Sequence, residues 1–248
     1  MNSYTAAIIV IGDEILSGRT KDTNSNFIAK KLLQEGIKLQ EVIIIKDDKK
    51  TIIDKVIYYS KKCSDVFTTG GIGPTHDDIT SESIAEAFDL KYCFHKEAYR
   101  ILENYYPKGE FNEGRKKMAK MPIGVKLIHN PITSAPGFKI LNVFVLPGVP
   151  EIMKKMFLQV MDKIEKGSPK KIVTINTNLY ESTISITLSE IQNKYNTCTI
   201  GSYPYFNFAK KKAGVNIVIS SWTMQSLDDI IFDIEKMITL KGGKSSIV

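Results

Sequence analysis

Three glycines within four residues, Gly70-Gly71-Ile72-Gly73, run directly into Pro74-Thr75-His76-Asp77-Asp78-Ile79-Thr80. Glycine-rich backbone turns its N–H groups toward a ligand and lets that ligand approach closely. The helix start expected just beyond, near Ser81, adds unpaired N–H groups and a positive dipole end. Asp77 and Asp78 are adjacent carboxylates that repel each other unless a cation offsets them, so the pair is suited to hold a divalent metal against bound phosphates. His76, inside the same loop, is the one histidine placed to take part. The chemistry to expect is the binding of an anionic, phosphorylated ligand, and the plain alternative is a structural turn between a strand and a helix.

The elements that must position this loop are legible on either side of it. Tyr4 to Ile11 reads as a β-strand opening into Gly12-Asp13-Glu14. Asp22-Thr23-Asn24 offers capping groups for a helix whose apolar residues (Phe27, Ile28, Leu32, Leu33) recur at helical spacing and which Gly36 stops. Lys38 to Ile45 is a second strand that leaves into Asp47-Asp48, Thr51 to Cys63 is a second helix, and Asp65-Val66-Phe67 belongs to the strand that delivers the glycines. Strands alternating with helices in this way predict right-handed βαβ units and a parallel sheet, with ligands at the carboxyl ends of the strands. Gly12–Glu14, Asp47-Asp48 and Gly70–Asp78 should therefore converge on one crevice.

Helical patterns follow from Glu97 to Tyr105 and from Glu113 to Lys120, then Lys126 to His129, a loop through Ala135-Pro136-Gly137, a strand from Val143 to Leu146, and a helix from the turn Pro147-Gly148-Val149-Pro150-Glu151 to Ile164. Glu165 to Pro169 reads as a linker. Beyond it the order becomes strand (Lys171 to Thr177), helix (Glu181 to Asn193), strand (Cys198 to Tyr203), strand (Gly214 to Ser220) and helix (Ser226 to Thr239). Lys210-Lys211-Lys212 looks like a hairpin tip, and the end at Gly242 to Ser246 looks frayed. The domain limits expected from this pattern are 1–166 and 170–242.

Composition bounds the function. The chain has 248 residues, 43% of them hydrophobic, enough for an ordinary core. The longest apolar run falls short of the roughly 20 residues that span a bilayer, and the first ten residues lack the basic start of a signal peptide, so no membrane partner and a cytoplasmic location are expected. The net charge of +7 is spread as lysine pairs over nearly every helix rather than concentrated with aromatics, which argues for solvated faces and against nucleic acid as the partner. Three separated cysteines form no CxxC pair and no disulfide framework.

These motifs resemble a known family. Gly12-Asp13-Glu14-Ile15-Leu16-Ser17-Gly18, Asp22-Thr23-Asn24, Thr69 to Thr80, Ala135-Pro136-Gly137-Phe138, Pro147-Gly148-Val149-Pro150-Glu151, Tyr180-Glu181-Ser182 and Ile200-Gly201-Ser202-Tyr203-Pro204 are similar to the CinA (competence/damage-inducible) proteins and to the matching part of eukaryotic FAD synthases, and more distantly to the MoaB/MogA molybdenum-cofactor proteins. The resemblance implies a three-layer α/β/α domain with a mainly parallel sheet, followed by a small C-terminal α+β domain. It implies metal-dependent hydrolysis of a dinucleotide pyrophosphate such as ADP-ribose or FAD, or, alternatively, a molybdopterin or nucleotide carrier without turnover. Mg²⁺ or another divalent cation (Co²⁺, Mn²⁺), with K⁺, is the cofactor expected, and a homo-oligomer the expected assembly.

The same resemblance singles out residues. Asp47 and Asp78 match the two acidic positions of most weight, with Asp77 and Asp78 on the metal and Asp47 free to act as base. Arg115 would stabilise phosphoryl oxygens, with Lys116 beside it, although Arg115-Lys116-Lys117 also suits a solvated helix face. Phosphate or nucleotide contacts are implied for Gly12, Glu14, Asn24, Gly70, Gly71, Gly73, Pro74, Thr75, Gly137, Pro147 and Gly148. The chain reads Thr133-Ser134 where relatives carry a glycine before Ala-Pro-Gly, so ligand contacts at that loop are left open.

Overall fold

The computed structural model describes residues 4–207, 212–223 and 226–248. The chain divides into two compact units, Met1–Gly167 and Ser168–Val248. The first opens with β1 (Thr5–Ile11), α1 (Asp13–Leu16), α2 (Asn24–Gln34), β2 (Lys38–Ile45), α3 (Lys49–Lys62), β3 (Asp65–Thr69) and α4 (Thr80–Ala87). It continues with β4 (Tyr92–Phe94), α5 (Lys96–Tyr105), α6 (Glu113–Lys117), β5 (Lys120–Pro122), β6 (Lys126–Ile128), β7 (Gly137–Ile140), β8 (Val143–Leu146) and α7 (Pro150–Met161).

Six of these strands form one sheet in the order β2-β1-β3-β8-β7-β6. The β1–β2, β1–β3 and β3–β8 ladders are parallel, and β7 and β6 add two antiparallel strands at one edge. Successive strand side chains face opposite sides, and β1 shows it cleanly. Ala7, Ile9 and Ile11 pack with Ile52, Tyr59, Ile84 and Leu102 of α3, α4 and α5, whereas Ala6, Ile8 and Val10 pack with Ile28, Leu32, Met153 and Phe157 of α2 and α7. A sheet covered on both faces favours apolar strands, and β1 and β8 read as almost unbroken hydrophobic runs, whereas β3 flanks Val66 and Phe67 with the buried polar residues Asp65, Thr68 and Thr69. Phe67 stacks on Phe144 (5.1 Å between centroids) and meets Phe157 edge-on at 5.2 Å, closing the α2/α7 side.

Asp65 is the one buried carboxylate among the described residues. It is 3% exposed and accepts a 2.8 Å hydrogen bond from the Tyr4 hydroxyl. Burial raises its carboxyl to about 6 despite that bond and the nearby Lys139. A carboxyl raised on folding favours the native state while protonated. That contribution is complete below the unfolded value of 3.8 and is lost as pH rises through about 6. Asp65→Asn, which stays neutral, is expected to be more stable than the native protein at pH 8 by about 2 kcal/mol, a rise of about 5 °C in melting temperature. The two should converge near pH 4. Parallel melting curves across that pH range would disprove the assignment.

The second unit holds β9 (Lys171–Thr177), α8 (Glu181–Lys194), β10 (Thr199–Asn207), β11 (Lys212–Ser221), α9 (Asp228–Leu240) and β12 (Ser245–Ile247). Its antiparallel sheet runs β10-β11-β9-β12. Ile175, Val215, Ile217 and Ile219 from the sheet pack with Ile184 and Leu188 of α8 and Ile230 and Ile234 of α9. The hairpin tip expected at Lys210-Lys211-Lys212 falls mainly outside the described residues.

Four expectations are corrected. The helix drawn from Glu113 to Lys120 stops at Lys117, and Lys120–Pro122 pairs with β4. Gly137 is not loop but the first residue of β7, where a side chain would collide with the Val145 carbonyl. The second helix starts two residues early, because Asp48 caps it by accepting the Thr51 N–H at 3.0 Å. The end read as frayed contains β12, which adds to β9 through backbone pairing that requires no apolar signature.

Candidate functional site

Strand order decides where the loops meet. The carboxyl ends of β1, β2, β3 and β8 lie side by side, so the segments after them surround a single cavity of about 520 Å³. Gly12 and Glu14, Asp47, Gly70 to Thr75, Asp77 and Asp78, and Pro147 to Pro150 all line it. A different cavity of about 450 Å³ lies between β6, β7, β8 and α7, lined by Lys126, Lys139 and Lys163 over apolar side chains, and holds none of the glycine-loop groups.

The glycine loop has a backbone that other residues would not adopt easily. Gly70 and Gly71 have φ of 106° and 68°. A side chain at Gly70 would strike the Ile11 carbonyl oxygen, and one at Gly71 would strike Thr80 Oγ1. The Gly70 N–H is spent on the Leu146 carbonyl at 3.1 Å, and the Gly71 carbonyl accepts the Thr80 N–H at 3.0 Å, stapling the loop to β8 and α4. The N–H groups of Gly71, Ile72 and Gly73 find no acceptor among the described residues. Donation to an anion is thus a property of residues 71–73 rather than of Gly70.

Four carboxylates share the cavity wall. Asp47 Oδ2 accepts the Asp13 N–H at 3.0 Å, which leaves Oδ1 beside Gly71. Burial pushes the Asp47 carboxyl up, the Asp13 N–H pulls it back, and the charges of Asp13, Glu14 and Asp77 add to the rise. Glu14 lays its carboxylate against Gly12, and Asp78 lays its own against Gly73, where in each case a β-carbon would crowd it. Asp78 Oδ2 accepts the Thr75 N–H at 2.8 Å. The Thr75 hydroxyl sits 2.5 Å from Asp77 Oδ1 and 2.6 Å from Asp78 Oδ2. A hydroxyl carries one proton and donates it to one acceptor at full strength, so it serves one of the two carboxylates at a time, while the Thr75 N–H serves Asp78 throughout. The Thr75 hydroxyl bond holds Asp77 below the usual carboxylate range. Among the described residues, no group of three or more His, Cys, Asp or Glu side chains is gathered tightly enough to hold a metal by protein ligands alone.

Residues 7–166 match the family described as "Probable molybdopterin binding domain". The chain belongs to this family. Residues 171–242 match the family described as the middle domain of FAD synthase. A "CinA-like protein" of Sulfurihydrogenibium sp. is 32% identical, with 90% of this chain and 56% of that protein covered. A "Probable FAD synthase" of Caenorhabditis elegans is 33% identical, covering 90% of this chain and 48% of that one. The chain thus spans about half the length of these two relatives. Among solved structures, a CinA protein of unknown function from Thermoplasma acidophilum superposes with a TM-score of 0.61 at 32% identity, over 66% of this chain and 98% of its own.

Within this molybdopterin-binding-type domain, several residues singled out by sequence lie away from the cavity wall. Arg115 stacks on the Tyr106 ring at 4.1 Å and pairs with Glu110 at 3.0 Å, both on its own segment. Lys116 pairs with Glu113 at 2.7 Å. Lys117 is the member of that trio that reaches the glycine loop, donating to the Thr75 carbonyl. Gly137 is buried in the sheet, and His76 is exposed and does not line the cavity. Asn24 lines a narrower crevice beside the cavity.

Other lining residues were missed by sequence reasoning. Thr20, Met118, Asn130 and Thr133 carry no motif that marks them as ligand contacts. Asn130 had a signal in the Asn-Pro dipeptide, which favours a side-chain-capped turn. Its Oδ1 accepts the N–H groups of Ile132 and Thr133, and its Nδ2 donates to Ala135 O at 3.0 Å, holding the 130–135 loop at the rim. No helix among the described residues is long and apolar enough to cross a membrane.

Proposed function

We propose that this chain is a metal-dependent pyrophosphatase acting on a dinucleotide such as ADP-ribose or FAD. The observation that carries the reading is the conjunction of the unpartnered N–H groups of residues 71–73 with the carboxylates of Glu14, Asp47, Asp77 and Asp78 on one wall. N–H donors invite a phosphate, and carboxylates at the same place repel it. A divalent cation between them reconciles the two. Hard cations of this kind are commonly bound by one or two carboxylates together with substrate phosphates, so a cluster of three protein ligands is not required. Asp77 and Asp78 would hold the cation, Mg²⁺, Mn²⁺ or Co²⁺, which supplies Lewis acidity at phosphorus.

The remaining roles belong to the chain itself. Gly71, Ile72 and Gly73 would hold the phosphate oxygens through their N–H groups. Asp47, kept basic by its partly buried setting and oriented by the Asp13 N–H, would accept the proton of a water attacking one phosphorus as the bridging P–O bond breaks. Similarity to FAD synthase and to CinA-like proteins supports a ligand of the nucleotide, flavin or pterin class.

The test is release of AMP from ADP-ribose and FAD by the purified chain, with Mg²⁺, Mn²⁺ or Co²⁺, and with and without K⁺. Metal-dependent AMP release abolished by chelation is the expected result. Binding of nucleotide or pterin by calorimetry with no product under any metal would replace this reading with that of a carrier.

A further inference from the structure

The cavity of about 450 Å³ between β6, β7, β8 and α7 shares no lining residue with the glycine-loop cavity. Phe144, near the start of β8, stands in its wall, so it lies toward the amino end of a strand whose carboxyl end serves the glycine loop. Ile128, Phe144 and Val160 supply a hydrocarbon lining. Lys126 of β6, Lys139 of β7 and Lys163 just past α7 surround it, and no acidic residue lines it. Gln159 is the remaining polar side chain of the lining, and its Nε2 already donates to the His129 carbonyl at 3.1 Å.

Two features of this cavity are unfavourable as they stand. Lys126 and Lys139 are register partners in the antiparallel β6–β7 ladder, and like charges directly opposite destabilise such a pair. None of the three lysines forms an ion pair among the described residues, whereas Lys49, Lys116, Lys154 and Lys166 of the same unit each do. Lys139 instead lies over the Phe144 ring at 4.4 Å. Asp65 feels the charge of Lys139, but it is buried, bonded to Tyr4 and outside the lining. The second feature is Leu141, the first residue of the two-residue turn that joins β7 to β8. Its φ is 51°, a conformation that favours glycine, and its side chain is 67% exposed where it lines the cavity. A bulky apolar side chain held there at a backbone cost points to a bound group that it covers.

We propose that this cavity binds a single-chain amphipathic anion, an alkyl chain ending in a phosphate monoester. The ammonium groups of Lys126, Lys139 and Lys163 hold the dianionic head, and the chain lies on Ile128, Phe144 and Val160 beneath Leu141. A nucleobase or pterin suits this lining poorly, because hydrocarbon and an amide N–H already in use leave its ring edges short of partners. The volume is that of a site for one small molecule, which favours a free phosphate ester over the headgroups of a membrane. The site stands apart from the glycine loop and does not depend on what that cavity binds.

The experiment is calorimetric titration of the whole chain with octyl phosphate below its micelle concentration, beside octyl glucoside, inorganic phosphate and vesicles of phosphatidylglycerol. Octyl phosphate is expected to bind about tenfold or more tighter than octyl glucoside, which lacks the charge, and than inorganic phosphate, which lacks the chain. Lys126→Met relieves the opposition to Lys139, so it should melt no lower than the native protein while weakening octyl phosphate about fivefold or more. Leu141→Gly relieves the turn and should also melt no lower, yet weaken octyl phosphate and leave inorganic phosphate unaltered. No binding of octyl phosphate, or binding no tighter than that of either control, would overturn the proposal. Affinity unchanged in either variant would place the anion at another site, the glycine loop included, and overturn it as well. Binding of the vesicles without octyl phosphate would replace the cavity by a basic surface for anionic lipid, with the same consequence.

Discussion

Gly70→Ala is expected to lower the melting temperature by about 10 °C and to abolish ligand binding at the cavity. Two costs coincide at this position. With φ at 106°, an L-residue is held in a conformation that costs of order 1–3 kcal/mol. The added β-carbon would also drive into the Ile11 carbonyl, which is fixed in the centre of the sheet. Backbone atoms have no rotamer to escape into, so β3 or the loop must shift, and the total should reach at least about 3 kcal/mol. For a chain of this size each kcal/mol corresponds to roughly 2–4 °C. Gly18→Ala is the matched control. Gly18 has φ of 73° with open space around its α-carbon, so the strain acts alone and should cost about 1 kcal/mol. Thermal unfolding of the two variants side by side decides the matter. If Gly70→Ala melts no lower than Gly18→Ala, the Gly70 α-carbon does not lie against the Ile11 carbonyl as described.

Asp78→Asn should reduce turnover of the dinucleotide substrate at least 100-fold while leaving the fold unaltered. Asparagine retains an oxygen for the Thr75 N–H, which Asp78 now accepts at 2.8 Å, so the loop keeps its internal bond. What is lost is one negative charge next to Gly73, where a cation and a phosphate would meet. Losing one of two carboxylates on a hard cation weakens both cation binding and the polarisation of phosphorus, effects worth several kcal/mol together. Initial rates at saturating metal, with a melting curve beside them, provide the check. Retention of a tenth or more of native activity would remove Asp78 from the reaction, whereas a large fall in melting temperature would mark it as a structural residue of the loop.

How much of this was readable before any coordinates depended on the range of the interactions involved. β1, β2 and β3 lie within a residue or two of where the sequence places them. β1 is covered on both faces and leaves an almost unbroken hydrophobic signature, whereas β2, a largely exposed edge strand, shows through its β-branched run Val42 to Ile45. β12 left no such trace, since its pairing with β9 uses backbone groups that every residue possesses. Of the pair Asp47-Asp48, one caps α3 and the other faces the cavity. Both roles suit aspartate, and only the placement of α3 against the sheet separates them. The run Arg115-Lys116-Lys117 is similar. Neighbouring side chains on a helix point about 100° apart, so how α6 docks determines that Lys117 reaches Thr75 while Arg115 turns back to Tyr106 and Glu110.

The sequence by itself determined the alternation of strands and helices, the parallel core of the sheet and the glycine loop at a strand's carboxyl end. Those follow from local periodicity and from backbone conformations that glycine adopts most readily. The tertiary structure decided which groups face one another across the cavity. Asp47 beside Gly71, Asn24 bound to the Gly148 carbonyl, and the Asp13 N–H on Asp47 are contacts between loops brought together by strand order. Direction and distance between such loops arise only when the sheet is assembled, because each side chain's orientation depends on the packing of elements distant in the chain.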